Sequence, residues 1–292
     1  MIIMELNQAE VEDALVKAIQ KAVTSVTDET EDALNEARER EEDEGPKVQL
    51  DAILENIDVG KGEKRPICQD TGTQTFFLEI GEDFPSIGVL KEAVRNAVKE
   101  ATASVPLRPN AIDPISDVNS EDNTGRFVPA LHWDVVEGDE AIIHVIPKGG
   151  GSENMSELVM MTPGKGMKGV KEIVLDRIAE MAGKPCPPTV VGVGIGGGAD
   201  LAMELAKKAL LRPVGERHLE ERVADLEEEL MEKANELGVG PMGVGGKTTV
   251  LDVKVEYAHR HPASFPVAVL PQCWANRQAK VKIDSEGNIE VI

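Results

Sequence analysis

The chain has 292 residues, 41% of them hydrophobic, with 53 acidic against 31 basic side chains and a net charge of −22. Such a chain can bury a sizeable core, but its acidity argues against a nucleic-acid binder, which needs clustered Lys and Arg, and no stretch approaches the ~18 apolar residues of a membrane span. Three cysteines fit poorly with a secreted disulfide scaffold, so the expectation is a cytoplasmic protein.

Residues 1–5 are a short apolar tip with no basic region and no cleavage site, and Met4 is as good an initiator as Met1. From residue 7 the spacing of Val11, Ala14, Leu15, Ala18 and Ile19 predicts a helix, which continues as a highly charged stretch over 29–44 until Gly45 and Pro46 stop it. Residues 1–45 thus read as an acidic helical segment opening one large domain over 1–292. Residues 74–80 are β-like, and 89–104 carry a helical stripe of Val89, Ala93, Val94, Ala97 and Val98. The segment 105–126, with Pro106, Pro109 and Pro114, is a loop of a length usually functional or disordered. Strands at 128–136 and 140–147 read as a hairpin turning at Gly138 and Asp139.

Glycine-rich loops then open helices near 152–162 and 199–211, with a further helix at 167–183 between them. A Glu-rich helix at 216–237, a strand at 248–257 and a terminal hairpin at 279–292 complete the chain. Strands and helices interleave without a strict βαβ rhythm. The expected fold class is α/β, with mixed sheets surrounded by helices.

Each cysteine sits beside proline: Cys68 in Arg65-Pro-Ile-Cys-Gln-Asp-Thr-Gly-Thr73, Cys186 in Lys184-Pro-Cys-Pro-Pro-Thr189, Cys273 in Leu270-Pro-Gln-Cys-Trp-Ala275. A proline-stiffened loop holds a thiolate in a fixed direction. They are too far apart for a zinc ribbon or a thioredoxin motif. They are unrelated half-buried thiols, or they converge on zinc with one open position, or on a four-iron cluster with one iron left open.

With these motifs in view the chain resembles the class I, iron–sulfur fumarate hydratases and the related L-tartrate dehydratases, specifically their cluster-bearing α subunit. The likeness runs from about residue 10 to 280. It rests on Ile67-Cys-Gln-Asp-Thr-Gly-Thr73, Leu107-Arg-Pro-Asn110, Asp122-Asn-Thr-Gly125, Lys148-Gly-Gly-Gly-Ser-Glu-Asn154, Cys186-Pro-Pro with Gly192-Val-Gly-Ile-Gly-Gly-Gly198, and His261 before Cys273. The resemblance implies a [4Fe-4S] cluster on Cys68, Cys186 and Cys273, and dicarboxylate contacts from Gln69, Asp70, Arg108 and Gly150, with His261 beside them. It implies an α subunit interconverting fumarate and (S)-malate, or alternatively dehydrating L-tartrate. A separate β subunit would supply the rest of the site in an α2β2-type assembly, since single-chain members continue well past the point where this chain ends. One departure is visible: the family often has lysine where Phe265 stands.

The residues themselves suit this chemistry. Arg108 presents a planar guanidinium to a carboxylate, unless it serves a structural ion pair. The N–H groups of 148–154 offer an anion seat with Gly150 as a close-approach position, or a plain helix entry. Asp70 is a general acid–base or a turn residue, Gln69 a neutral hydrogen-bonding partner, and His261 a proton relay or a packed histidine.

Two further motifs point elsewhere. Gly192-Val-Gly-Ile-Gly-Gly197 fits a dinucleotide fingerprint, but no second strand with a terminal acid is legible after it, and a role near the cluster is preferred. Gly240-Pro-Met-Gly-Val-Gly-Gly-Lys-Thr-Thr249 mimics a P-loop, yet Pro241 stands where the first glycine is required, and Lys247 or Thr248 is left free to face the cavity. A nucleotide-binding or zinc/thiol protein is therefore the more distant alternative.

Overall fold

The computed structural model describes residues 6–105 and 107–292, so the alternative starts at Met1 and Met4 and the stiffening by Pro106 lie outside the described residues. In chain order the elements are α1 (Gln8–Thr24), α2 (Asp28–Arg40), α3 (Glu44–Glu63), β1 (Thr73–Gly81), α4 (Ile87–Ser104), β2 (Ala130–Val136), β3 (Ala141–Lys148) and α5 (Gly150–Glu153). They continue with β4 (Glu157–Met160), α6 (Gly166–Met181), β5 (Thr189–Gly197), α7 (Ala199–Ala209), α8 (Glu221–Glu236), β6 (Val250–Arg260), β7 (Pro266–Gln272), β8 (Ala279–Ile283) and β9 (Ile289–Val291). The fold is α/β with two mixed sheets, as the sequence predicts. No helix among the described residues is long and apolar enough to cross a membrane.

The N-terminal helix expected over 7–44 is broken twice. Ser25 leaves α1 in extended backbone, and Thr27 caps α2 by accepting from the Thr30 N–H, satisfying a free donor of the new first turn. Gly45 and Pro46 start α3 instead of stopping a helix. Proline is tolerated in a first turn because its missing N–H would have no partner there.

Two compact units emerge: one of residues 6–26, Ile57–Gly150 and Arg277–Ile292, the other of Thr27–Asn56 and Gly151–Asn276. The first unit holds a five-stranded sheet in the order β2-β1-β3-β8-β9. Its core joins Val11, Leu15 and Ile19 of α1 and Leu90, Val94 and Val98 of α4 to Phe76, Leu78, Ile143 and Val281 of the sheet. Burying each such side chain contributes about 1.5–3 kcal/mol.

The expected 128–147 hairpin is not formed. β1 lies between the two strands, parallel to β2 and antiparallel to β3. β1 is buried along nearly its whole length and takes an interior place, whereas the second half of β2 is exposed and takes an edge. The turn at Gly138 therefore passes over the end of β1. Gly81 makes that possible, since a Cβ there would stand 2.4 Å from the Gly138 carbonyl oxygen.

The second unit holds a four-stranded sheet in the order β4-β7-β5-β6, with β5 parallel to β6 and antiparallel to β7. Residues 157–160, expected in a helix, form strand β4 on β7, because a short apolar run takes whichever state its neighbour offers. β5 and β7 carry no strand signal that survives their glycines and prolines. In β5 Val191, Val193 and Ile195 face the core with α6 and α8, while Gly192 and Gly194 face α7. A Cβ at Gly192 or Gly194 would come within 2.0 or 1.9 Å of an α7 carbonyl oxygen. The supposed dinucleotide fingerprint is thus a strand with one all-glycine face for a close helix. Its preferred placement at a cluster gives way to packing for these two residues. Gly194→Ala is expected to cost about 3 kcal/mol, read from urea melts.

On β6 lies a buried ionic group: Asp252 and Lys254, both fully buried, pair at 2.8 Å, and Arg217 meets the same carboxylate at 2.7 Å. Burial holds the Lys254 ammonium below its ordinary pKa, against the pull of Asp252. Below its unfolded value the unfolded chain therefore keeps the proton more firmly, so this group's share of stability rises with pH. Asp252→Ala would strand a buried ammonium and cost about 3–5 kcal/mol at neutral pH. The loss should shrink as alkaline pH discharges Lys254, in denaturant melts across that range.

Candidate active site

In the first unit Cys68, Gln69 and Asp70 occupy the turn between α3 and β1. Cys68 is half-buried and free, Gln69 exposed. Gly72, at φ +80°, lets this turn lie against the backbone of Lys148, which a Cβ would meet at 2.8 Å. The Asp70 carboxylate accepts from the Gly72 N–H at 3.0 Å and from the Gly150 N–H at 2.7 Å, with the Asn110 amide at 3.5 Å. The N–H of Gly150, read as part of an anion seat, thus already holds the chain's own carboxylate.

Arg277 is the residue the sequence did not mark. It is the largest fully buried side chain; its Nη1 donates to the Asp70 carbonyl at 2.7 Å, while its Nε is buried without a partner. The signal for it was slight: an arginine in the polar run closing the Cys273 motif.

Arg108 is placed by its backbone. Its N–H donates to the Thr71 hydroxyl at 3.0 Å and its carbonyl accepts from the Asn123 amide at 3.1 Å, leaving the side chain exposed. Asn123 also accepts from the Asn110 N–H at 2.6 Å. The motifs at 107–110 and 122–125 are therefore one structure, with Asn123 as the buckle between them.

In the second unit the decisive contact is a backbone one. The Cys186 carbonyl accepts from the N–H of Trp274, the residue after Cys273, at 3.1 Å. Gln272 pairs with Val190 in the sheet, so both cysteines sit at the same end of β5 and β7. Cys186 is left-handed, at φ +57°, a strained state that persists where surroundings dictate it, often at functional sites. Neither thiol is in a disulfide, and both are half-buried.

His261 lies elsewhere in this unit. It follows β6 and precedes β7, at the end marked by Gly197 and Val267. The strand steps from Val190 to Ile195 alone span about 17 Å, so His261 and the two cysteines are at opposite ends of the sheet. It is exposed rather than packed, its Nδ1 accepting from the Ala263 N–H at 3.1 Å. Phe265, where the resemblance leads one to expect lysine, is buried with the Arg260 guanidinium 4.3 Å above its ring.

The P-loop look-alike is also explained within this unit. The N–H groups of Lys247 and Thr248 bind the buried carboxylate of Glu41 at 2.8–2.9 Å, and the Lys247 ammonium meets Glu42 at 2.5 Å. It is an anion nest filled by the chain's own glutamate.

Among the described residues no three His, Cys, Asp or Glu side chains gather closely enough to hold a single metal ion. An iron–sulfur cluster makes a different demand, because its thiolates bind different irons and need not meet at one point. Three half-buried thiols on loops, none of them in a disulfide, suit that soft-donor requirement.

Residues 12–282 match the family described as Fumarate hydratase (Fumerase). The chain belongs to this hydro-lyase family. It is 45% identical to a putative L(+)-tartrate dehydratase subunit alpha of Methanocaldococcus jannaschii over 282 residues, which cover 94% of this chain and 99% of the relative. It is 38% identical to the L(+)-tartrate dehydratase subunit alpha of Escherichia coli strain UTI89, and 37% to that of strain K12, each over 268 residues covering 91% of this chain and 88% of the relative. The family resemblance therefore holds over most of the chain. Between the two substrates weighed, the relatives' names favour tartrate over the leading fumarate reading.

Proposed function

We propose that this chain is the cluster-bearing α subunit of a two-subunit hydro-lyase acting on a four-carbon dicarboxylate. L(+)-tartrate dehydration is the first reaction to test, because the curated relatives carry that name. Interconversion of fumarate and (S)-malate is the second reading, favoured by the family description. The observation that carries the proposal is the Trp274 N–H to Cys186 carbonyl hydrogen bond, which draws two thiols from distant sequence into adjacent loops.

Cys68, Cys186 and Cys273 would hold a [4Fe-4S] cluster. When bound, it supplies an open iron as a Lewis acid toward the substrate's hydroxyl and carboxylate. The remaining work falls to side chains. Arg108, fixed through Thr71 and Asn123, clamps a carboxylate with two parallel N–H donors. Gln69 hydrogen-bonds the substrate as a neutral partner. Asp70 holds the transferring proton, its direction set by the Gly72 and Gly150 N–H groups. Gly150 keeps the approach free of a side chain. His261, being at the far end of its own sheet from Cys186 and Cys273, serves this site from a second copy of the chain.

Residues 1–292 act together as the α-type catalytic domain, in a cytoplasm that keeps the thiols reduced. The relatives' designation as alpha subunits supports a β partner, and the assembly proposed is of the α2β2 type. The test is anaerobic coexpression with the companion chain, followed by iron and sulfide analysis and rates on L-tartrate and (S)-malate at equal enzyme. A brown protein dehydrating either substrate is expected. A colourless or zinc-loaded protein, or full turnover by the α chain alone, would end the reading.

A further inference from the structure

The segment 109–136 of the first unit turns much of its apolar content outward. Ile115 is 94% exposed, Phe127 83%, Val135 69% and Val118 63%. This is not a loose loop. Asp113 accepts from the N–H groups of Ile115 and Ser116, the Asn119 amide donates to the Pro109 carbonyl, and the Asp122 carboxylate accepts from the backbone and hydroxyl of Thr124. Asp117, Glu121, Asn123 and Phe127 are held left-handed despite having side chains. A segment so fully ordered gains nothing by presenting apolar groups to water, but it docks at little further entropic cost.

The surroundings narrow the occupant. Two concavities of about 670 and 710 Å³ adjoin, sharing Gly125, Arg126, Phe127 and Val128, so that Phe127 stands on the ridge between them. One is lined by Lys91, Arg95 and Arg126 against the single acid Glu92, a positive rim on a chain of net charge −22. The other is walled by Thr73 and Asn110, and the Asn110 amide reaches both Asp70 and the Gly72 carbonyl. β2, which runs out from this patch after Pro129, is an edge strand with Trp133 and Val135 exposed, and Asp134 is its single charged residue. Covering by another element is one way proteins manage an exposed apolar edge.

We propose that this face is where the companion β subunit docks, seating an apolar anchor on either side of Phe127 within an acidic rim. A chain seated there borders Asp70, which is what completing the active site requires. The inference rests on the two-subunit reading above and adds where the second chain binds.

The test uses the αβ complex. Phe127→Asp and Val135→Asp are each placed in tagged α and compared with Leu219→Asp, which alters a fully exposed leucine outside the patch. Phe127→Asp suits the left-handed position, which aspartate tolerates. Both patch variants should weaken β binding roughly a hundredfold by titration calorimetry, with the α chain's circular dichroism and melting temperature unchanged, while Leu219→Asp binds as wild type. Independently, amide hydrogen exchange of the wild-type chain should slow in 109–136 when β is added, a readout that needs no variant. Unweakened β binding by the patch variants, or unchanged exchange, overturns the inference and leaves the two-subunit enzyme intact. So does loss of an α–α contact with β retained, which would make a second copy the occupant. If wild-type α takes up no β and is fully active, the two-subunit reading itself fails.

Discussion

Coexpressed with the companion subunit, neither a Cys186→Ser chain nor a His261→Ala chain should turn over substrate well, yet the two together should recover about a quarter of the wild-type rate. Cys186→Ser removes a thiolate and should abolish iron incorporation. His261→Ala leaves all three cysteines in place and should keep its iron while losing about 10²–10⁴ in kcat, the usual contribution of a positioned acid–base group. The recovery follows from the direction of the strands. β7 runs from the His261 end to Gln272, next to Cys273, so the chain that supplies the thiols holds its own histidine a strand length away. If a two-fold pair shares its sites, half the pairs formed at random are mixed. Each mixed pair has one site with both the cysteines of one chain and the histidine of the other. The measurement is specific activity of the unfractionated mixture, which should rise to about half of wild type once mixed pairs are isolated by two tags, with iron counted alongside. Mixed pairs without activity would place His261 outside the reaction or in its own chain's site. A fully active His261→Ala enzyme would make it a loop histidine only.

The thiols were legible in the sequence because their neighbourhoods are local. Proline beside each cysteine and the polar residues after Cys68 announce a fixed loop whatever surrounds it. The helices α4, α6 and α7 were legible for the same reason, since their apolar stripes are local. What failed depends on partners far away in the chain. The strands at 130–136 and 141–148 look like a hairpin until β1, buried on both faces, claims the place between them. β5 reads as a glycine-rich loop near the cluster until α7 needs a glycine face to lie on. Pro266 and Pro271 hide β7. The site shows the same division. Gln69, Asp70 and Arg108 stand in motifs, whereas Arg277 sits in no motif of its own. Only burial reveals that it props the Asp70 carbonyl. The place of His261 required the directions of three strands, which no periodicity encodes.

Asp70→Asn and Thr71→Val should fail in different ways, and the difference tests the roles given to Asp70 and Arg108. Asp70 is nearly isosteric with asparagine, so the turn around Cys68 should persist. The amide, however, can accept on only one oxygen, whereas the carboxylate accepts from Gly72 on one side and Gly150 on the other. One of those N–H groups would then face an NH₂, and the group would no longer exchange a proton. The expected result is a fall in kcat of about 10²–10⁴ with KM little changed, the pattern of an interaction made in the transition state. Thr71→Val keeps volume but removes the hydroxyl that accepts from the Arg108 N–H and lies 3.4 Å from its carbonyl. Arg108 would keep its charge and lose its fixed direction, so KM should rise about tenfold while kcat changes little, as when uniform binding is lost. Steady-state kinetics on the preferred substrate, at matched iron content, separates the two. If Asp70→Asn raises KM alone, the carboxylate is a structural hinge for the 148–150 turn and the proton is moved by another group.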